Sequence, residues 1–203
     1  IELKSAYQVV IPQFDNVLFV FLMNRIKMHP LKTQNVTAYS AALATSENLN
    51  CEMNFRKATE NDVSVIVEMI ADDELGKKRE NFQIPLPSEY LKAFEKINSD
   101  ENQELIVVEN EDLEVIGTLQ LSFIQYLTYR GGIRAQIEAV RIRKDKRGLG
   151  IGKFMFEWAV NRAKERNAHL LQLTTDKKRP KAIKFYEELG FKQTHEGMKM
   201  HFN

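Results

Sequence analysis

The stretch RKDKRGLGIGKF, residues 143–154, sets three alternating glycines among five basic residues, directly ahead of a segment with helical periodicity. Glycine lets the backbone approach a ligand closely, and the first N–H groups of a helix have no partner inside it. Such a junction offers donors and the positive end of a dipole to an anion, a pyrophosphate above all. Lys144, Lys146, Arg147 and Lys153 add charge around it. Spacing separates the known phosphate loops. The form GxxxxGK[ST] would need glycine at Arg147 and a hydroxyl at Phe154, so it fails. The form GxGxxG is matched at Gly148 and Gly150 but meets Lys153 at its third glycine, and no early strand–helix–strand unit precedes it. The form [QR]xxGx[GA] is matched by Arg147, Gly150 and Gly152, between a predicted strand and a predicted helix. A solvated basic turn is the alternative reading.

A carboxylate stands on the strand that feeds this loop. Glu138, in QIEAVRI, is a candidate general base, because partial burial raises a carboxyl's affinity for a proton. On a regular strand it shares a face with Gln136, Val140 and Ile142. Pairing with Arg141, or a place at a strand edge, accounts for it equally well.

The elements that must position these residues follow from periodicity and punctuation. Asn54 to Ala58 reads as a strand, followed by an amphipathic helix to about Ala71. A loop closed by Pro85 and Pro87 precedes a helix capped by Ser88 and running to about Asn98. Glu104 to Glu109 and Val115 to Tyr126 read as paired strands, and Tyr129-Arg130-Gly131-Gly132 turns into a third, Arg134 to Ile142. A helix from about Gly150 to Arg166, a strand from Leu170 to Thr174 and a helix from Pro180 to Leu189 come next. One or two closing strands are expected within Phe191 to Phe202. The predicted class is α/β, a mixed, mostly antiparallel sheet of six to seven strands flanked by about four helices.

The segment IEAVRIRKDKRGLGIGKF (137–154), followed by AIKFYEELGF (182–191), resembles the GNAT superfamily of acetyl-CoA-dependent N-acetyltransferases, over about residues 53–203. Within it, the stretch from QIEAVRI to TTDKKR is similar to bacterial small-molecule acetyltransferases, including the aminoalkylphosphonate type. The resemblance implies acetyl-CoA as co-substrate and no metal. It implies that backbone groups of Val140 and Ile142 bond the pantetheine arm, with Arg147, Gly148, Leu149, Gly150, Ile151, Gly152 and Lys153 on the pyrophosphate. It makes Tyr186 the acid that protonates the leaving thiolate; by spacing alone, Tyr186 reads equally as a ring packed beside Phe185. One departure stands out. The residue three before Ala182, often asparagine in the family, is Arg179, and the run KKRPK (177–181) offers its cations to the 3′-phosphate of CoA or serves as a solvated helix cap.

Composition bounds the rest. The chain has 203 residues, 43% of them hydrophobic, which suits one well-cored domain. Residues 54–129 hold 7 Lys+Arg against 16 Asp+Glu, and residues 130–203 hold 18 against 8. The basic excess surrounds one glycine loop and the helix after it, so nucleic acid is not an expected partner. The acidic run Asp72-Asp73-Glu74 and the loop to Pro87 lie where acceptor recognition is expected. The apolar run Val17 to Met23 is seven residues, against roughly 20 for a membrane span. The lone Cys51 rules out an internal disulfide and fits a reducing, cytoplasmic setting. Four histidines are scattered without metal-ligand spacing, and His195 reads as a surface residue. Residues 1–52 are expected to be a dispensable extension of the 53–203 domain. The expected activity is acetyl transfer to the primary amine of a small molecule by direct attack in a ternary complex, since no cysteine after position 51 could carry the acetyl group. A protein or peptide acceptor, or a non-catalytic acyl-CoA-binding sensor, is the alternative, and a homodimer is one assembly open to it.

Overall fold

The computed structural model describes residues 53–72 and 76–202. The expected extension over 1–52, and Asp73-Glu74 of the acidic run, lie outside them. Five strands form one sheet in sequence order: β1 (Asn54–Lys57), β2 (Gln103–Glu109), β3 (Val115–Gln125), β4 (Ile133–Ile142) and β5 (Ala168–Gln172). The first four pair antiparallel, and β4 pairs parallel with β5. A parallel neighbour needs a crossover, which helix α3 (Ile151–Glu165) supplies. Helices α1 (Val63–Ala71) and α2 (Ser88–Ser99) connect β1 to β2, and α4 (Pro180–Glu188) follows β5.

Each sheet face has its own core. Leu119 and Leu121 of β3 and Ala135 and Ile137 of β4 pack against Ile151, Met155, Phe156, Ala159 and Ala163, the apolar stripe of α3. On the other face, Val107 packs with Val63, Ile66 and Val67 of α1 and Phe94 of α2. Phe55 of β1 stacks on Trp158 of α3 at 5.2 Å. Three buried carboxylates are paired with arginines, Glu109 with Arg56 at 2.7 Å. Glu104, 2% exposed, takes Arg162 through both oxygens at 2.7 and 2.8 Å. Asp62 takes Arg56 at 2.7 and 2.9 Å, and that guanidinium holds the Asp62 carboxyl down at about 2. No helix among the described residues is long and apolar enough to cross a membrane.

Two expectations are corrected. Among the described residues the sheet has five strands, not six to seven, because Phe191–Phe202 forms none. Phe191 turns inward onto Phe156 and Tyr186. The alternating Met198, Met200 and Phe202 beyond it are 95%, 79% and 87% exposed. A strand whose apolar side faces solvent has no core to hold its register. Ser88 opens α2 as its first residue with Pro87 at the cap position, and no side-chain cap bond forms.

Candidate active site

Strand β4 is built irregularly. It pairs with β3 at Gln120↔Glu138 and again at Thr118↔Arg141, so β4 carries one residue more than its partner between them. Ala139 absorbs the excess at φ 51°, in the left-handed region. This is a β-bulge, and every side chain beyond it changes face. Ala135 and Ile137 before it, and Val140 and Ile142 after it, therefore all pack in the α3 core. The face expected to hold Glu138 together with Val140 and Ile142 is thus corrected. Glu138 keeps Gln136 on its side but lies opposite the other two.

Short of the bulge, β4 has already parted from β5. Their pairing runs only from Ile133↔Ala168 to Gln136↔Gln172. The Arg143 N–H donates to the Ile116 carbonyl on β3 at 2.9 Å, so by alternation the polar groups of Ile142 and Val140 face away from β3, into the gap. Side chains reach them there. Arg147 Nε donates to the Ile142 carbonyl at 3.0 Å, and Arg141 Nη1 to the Val140 carbonyl at 2.8 Å.

The loop after β4 turns through two glycines in the left-handed region, Gly148 at φ 84° and Gly150 at φ 83°, and Gly150 caps α3. Side chains rarely adopt that conformation, which explains the residue type at both positions. Gly152 lies in the first turn of α3. A Cβ there would stand 3.4 Å from Phe185 and 3.5 Å from Ile142, an ordinary contact, so packing does not demand glycine. What its absent side chain leaves open is the cleft that Gly152 lines. Arg143 braces the loop from outside, bonding Glu114 at 3.0 Å and Asp145 at 2.8 Å.

Helix α4 brings Tyr186 to the same place. Its ring packs against Phe156 at 5.4 Å and Phe185 at 5.7 Å. Burial raises the phenol pKa above its ordinary value, against the opposing charges of Arg179 and Arg141, so Tyr186 keeps its proton at neutral pH.

These parts enclose a cleft of about 650 Å³. Val140, Ile142, Phe156, Phe185 and Tyr186 line its apolar side, and Lys77, Lys144, Arg147, Lys153 and Arg179 bring cations to it. Asp72, at the end of α1, is the one carboxylate lining it among the described residues, and it holds Arg147 at 3.1 Å. Of the residues named from the sequence, Val140, Ile142, Arg147, Gly148, Gly150, Gly152, Lys153, Arg179 and Tyr186 converge here. Leu149 is half exposed outside the lining. Ile151 commits its side chain to the core and leaves only its backbone to the loop, and Glu138 is exposed on the other sheet face, just before the bulge. His195 is exposed and bonded to Thr194 at 2.8 Å, away from the cleft. Lys77 and Phe156 were not anticipated. The signal for Phe156 was its place beside Met155 on the wide apolar face of α3, turned toward the aromatic pair of α4. An apolar groove ending in a glycine-built, cation-rimmed loop suits a ligand with an uncharged arm and a phosphate end.

A crystal structure of a transcriptional regulator from Bacillus halodurans C-125 matches 74% of this chain and 99% of its own, at 55% identity and a TM-score of 0.71. A predicted acetyltransferase with acetyl-CoA from Clostridium acetobutylicum matches 73% of this chain and 96% of its own, at 27% identity and a TM-score of 0.58. The aminoalkylphosphonate N-acetyltransferase of Salmonella typhimurium is 33% identical over 82 residues, 40% of this chain, and the match spans about half (53%) of that relative's length. Residues 68–191 match the model of the acetyltransferase (GNAT) family, which takes in β2 to β5, the glycine loop and the Tyr186 helix, and the chain belongs to that family.

Proposed function

We propose that the chain is an N-acetyltransferase that modifies the primary amine of a small molecule by direct attack in a ternary complex. The observation that carries this reading is the convergence, in one cleft, of the glycine loop, the stretch of β4 that is unpaired with β5 and a protonated phenol. Acetyl-CoA, when bound, supplies the acetyl group as an activated thioester. The chain's own residues handle position and protons. The Gly148–Lys153 backbone with Arg147, Lys144 and Arg179 holds the phosphates, and the outward groups of Val140 and Ile142 hold the arm. Tyr186 presents a proton from its Oη to the departing sulfur, and the guanidinium charge nearby favours a thiolate there. Glu138, across the bulge, accepts the proton the attacking amine must lose. Glu138 lies on the face of β4 opposite Val140 and Ile142, next to the gap where β4 and β5 part. The domain is residues 53–203, with acetyl transfer independent of 1–52. The aminoalkylphosphonate activity of the Salmonella relative supports a small acceptor.

A second reading is a non-catalytic acyl-CoA sensor. It is favoured by the 55% identical Bacillus halodurans protein being described as a transcriptional regulator. Tyr186→Phe separates the two, since it removes a proton and leaves the ring packing. As an enzyme, the variant loses about tenfold to hundredfold in kcat while its dissociation constant for acetyl-CoA stays the same. A wild-type kcat in the variant would remove Tyr186 as the acid. Binding with no turnover in either protein would favour the sensor.

A further inference from the structure

Glu138 does not stand alone on its face of the sheet. The strand register lines up Gln103, Ser122, Gln136 and Gln172 in one row across β2 to β5, and Gln120 faces Glu138 in the next. Gln172 Nε2 donates to Gln136 Oε1 at 2.5 Å, and Gln136 Nε2 donates to Glu138 Oε1 at 3.4 Å. The direction of this chain is forced. An ionised carboxylate only accepts, so Gln136 must turn its NH₂ toward Glu138 and its carbonyl toward Gln172, which must then present an NH₂ of its own. Gln120, although opposite Glu138, is drawn the other way: it donates to Gln103 at 2.9 Å, and Gln103 donates to Asp100 at 3.0 Å. Among the described residues, Gln136 is therefore the hydrogen-bond partner of Glu138.

Burial is deepest at the middle of this chain, and Gln172 is half-buried. Gln136 is 8% exposed and Glu138 is exposed. A buried carboxamide must be satisfied, and these two partners satisfy it. The pair Gln136↔Gln172 is also the last rung between β4 and β5 before the strands part. Gln136 stands at the root of the gap, three positions before Ala139 of the bulge.

We infer that Gln136, oriented by Gln172, is a positioning residue for Glu138: it holds Oε1 and leaves Oε2 to take the proton of the acceptor amine. This rests on Glu138 being the base proposed above. The test uses the full chain with Gln136→Leu, Gln172→Leu and Glu138→Gln, and follows the Gln136 side-chain NH₂ by proton–nitrogen NMR, which needs no acceptor. Kinetics with 2-aminoethylphosphonate run beside it. The Gln136 NH₂ resonances are expected to move in Glu138→Gln and in Gln172→Leu. In Gln136→Leu, kcat falls about tenfold while acetyl-CoA affinity holds, and in Gln172→Leu it falls by less. In the Glu138→Gln background, Gln136→Leu has no further effect. Gln136 NH₂ resonances unmoved in both variants, or a tenfold loss that persists in the Glu138→Gln background, overturns the positioning role. Full activity of Glu138→Gln alone overturns the base reading itself, and the NMR still reports whether the relay exists.

Discussion

In the proposed mechanism Tyr186 and Glu138 divide two proton movements, and their surroundings differ in kind. Tyr186 is wrapped in Phe156, Phe185 and Phe191, and the desolvation that raises its pKa outweighs two nearby guanidinium charges. An acid must carry its proton to act, so a raised pKa keeps Tyr186 competent through the neutral range. The account predicts that the alkaline limb of the wild-type profile lies above the ordinary phenol value of about 10 and disappears in Tyr186→Phe. A limb well below that value which survives in the variant would assign it to another group. Glu138 has the opposite setting, exposed at the bulge and held by one carboxamide. That suits a group that must exchange its proton with solvent in every turnover.

At the scale of elements, the bulge does the positioning, and it depends on Ala139 at φ 51°. Glycine accepts that conformation without strain, whereas a β-branched side chain does not. Ala139→Gly is therefore expected to leave stability within about 0.5 kcal/mol of wild type, and Ala139→Val to cost about 1–2 kcal/mol and weaken acetyl-CoA binding. Chemical denaturation with a binding titration checks both. Equal stability of the two variants would mean that Ala139 does not carry the strain. The bulge also marks where reading the sequence fell short. Apolar residues sit at Ala135 and Ile137, then at Val140 and Ile142, a shift from odd to even positions that a face-alternation argument can detect. Glu138-Val140-Ile142 taken alone hides it, because it reads as an unbroken period of two. Most strand and helix limits were legible within one or two residues, since Gly150, Pro180 and Gly190 punctuate strong periodicity. The closing strands were not, because Met198, Met200 and Phe202 alternate like a strand without a core to face. The loop was legible because backbone anion cradles need glycine at set spacing, whereas Tyr186, which lines the same cleft, was read only from the family resemblance. Gln136 and Gln172 were not, because only the cross-strand register brings them together.

For the whole molecule, the acidic front half and basic back half meet at the cleft, where Asp72 of α1 holds Arg147 of the loop at 3.1 Å. Arg147 also covers the Ile142 carbonyl, so in the proposed binding mode the same side chain would meet both the diphosphate and the arm. A diphosphate must compete with Asp72 for that guanidinium. Asp72→Asn removes the competitor and a repelling charge together, and is expected to tighten acetyl-CoA binding about two- to fivefold, as suits a partly exposed pair. Calorimetric titration checks this, and weaker binding would mean that Asp72 instead organises the site.

The measurement that bears most directly on the central claim is acetyl-CoA-dependent release of CoA thiol by the full chain. The panel is polyamines, aminoalkylphosphonates, amino acids and short peptides. Cys51 contributes at most one thiol per chain, so repeated turnover stands clear of it. The account predicts multiple turnovers with a small primary amine and none without one. Binding of acetyl-CoA with no amine-stimulated release would contradict the enzyme, and no binding at all would contradict the reading of the glycine loop.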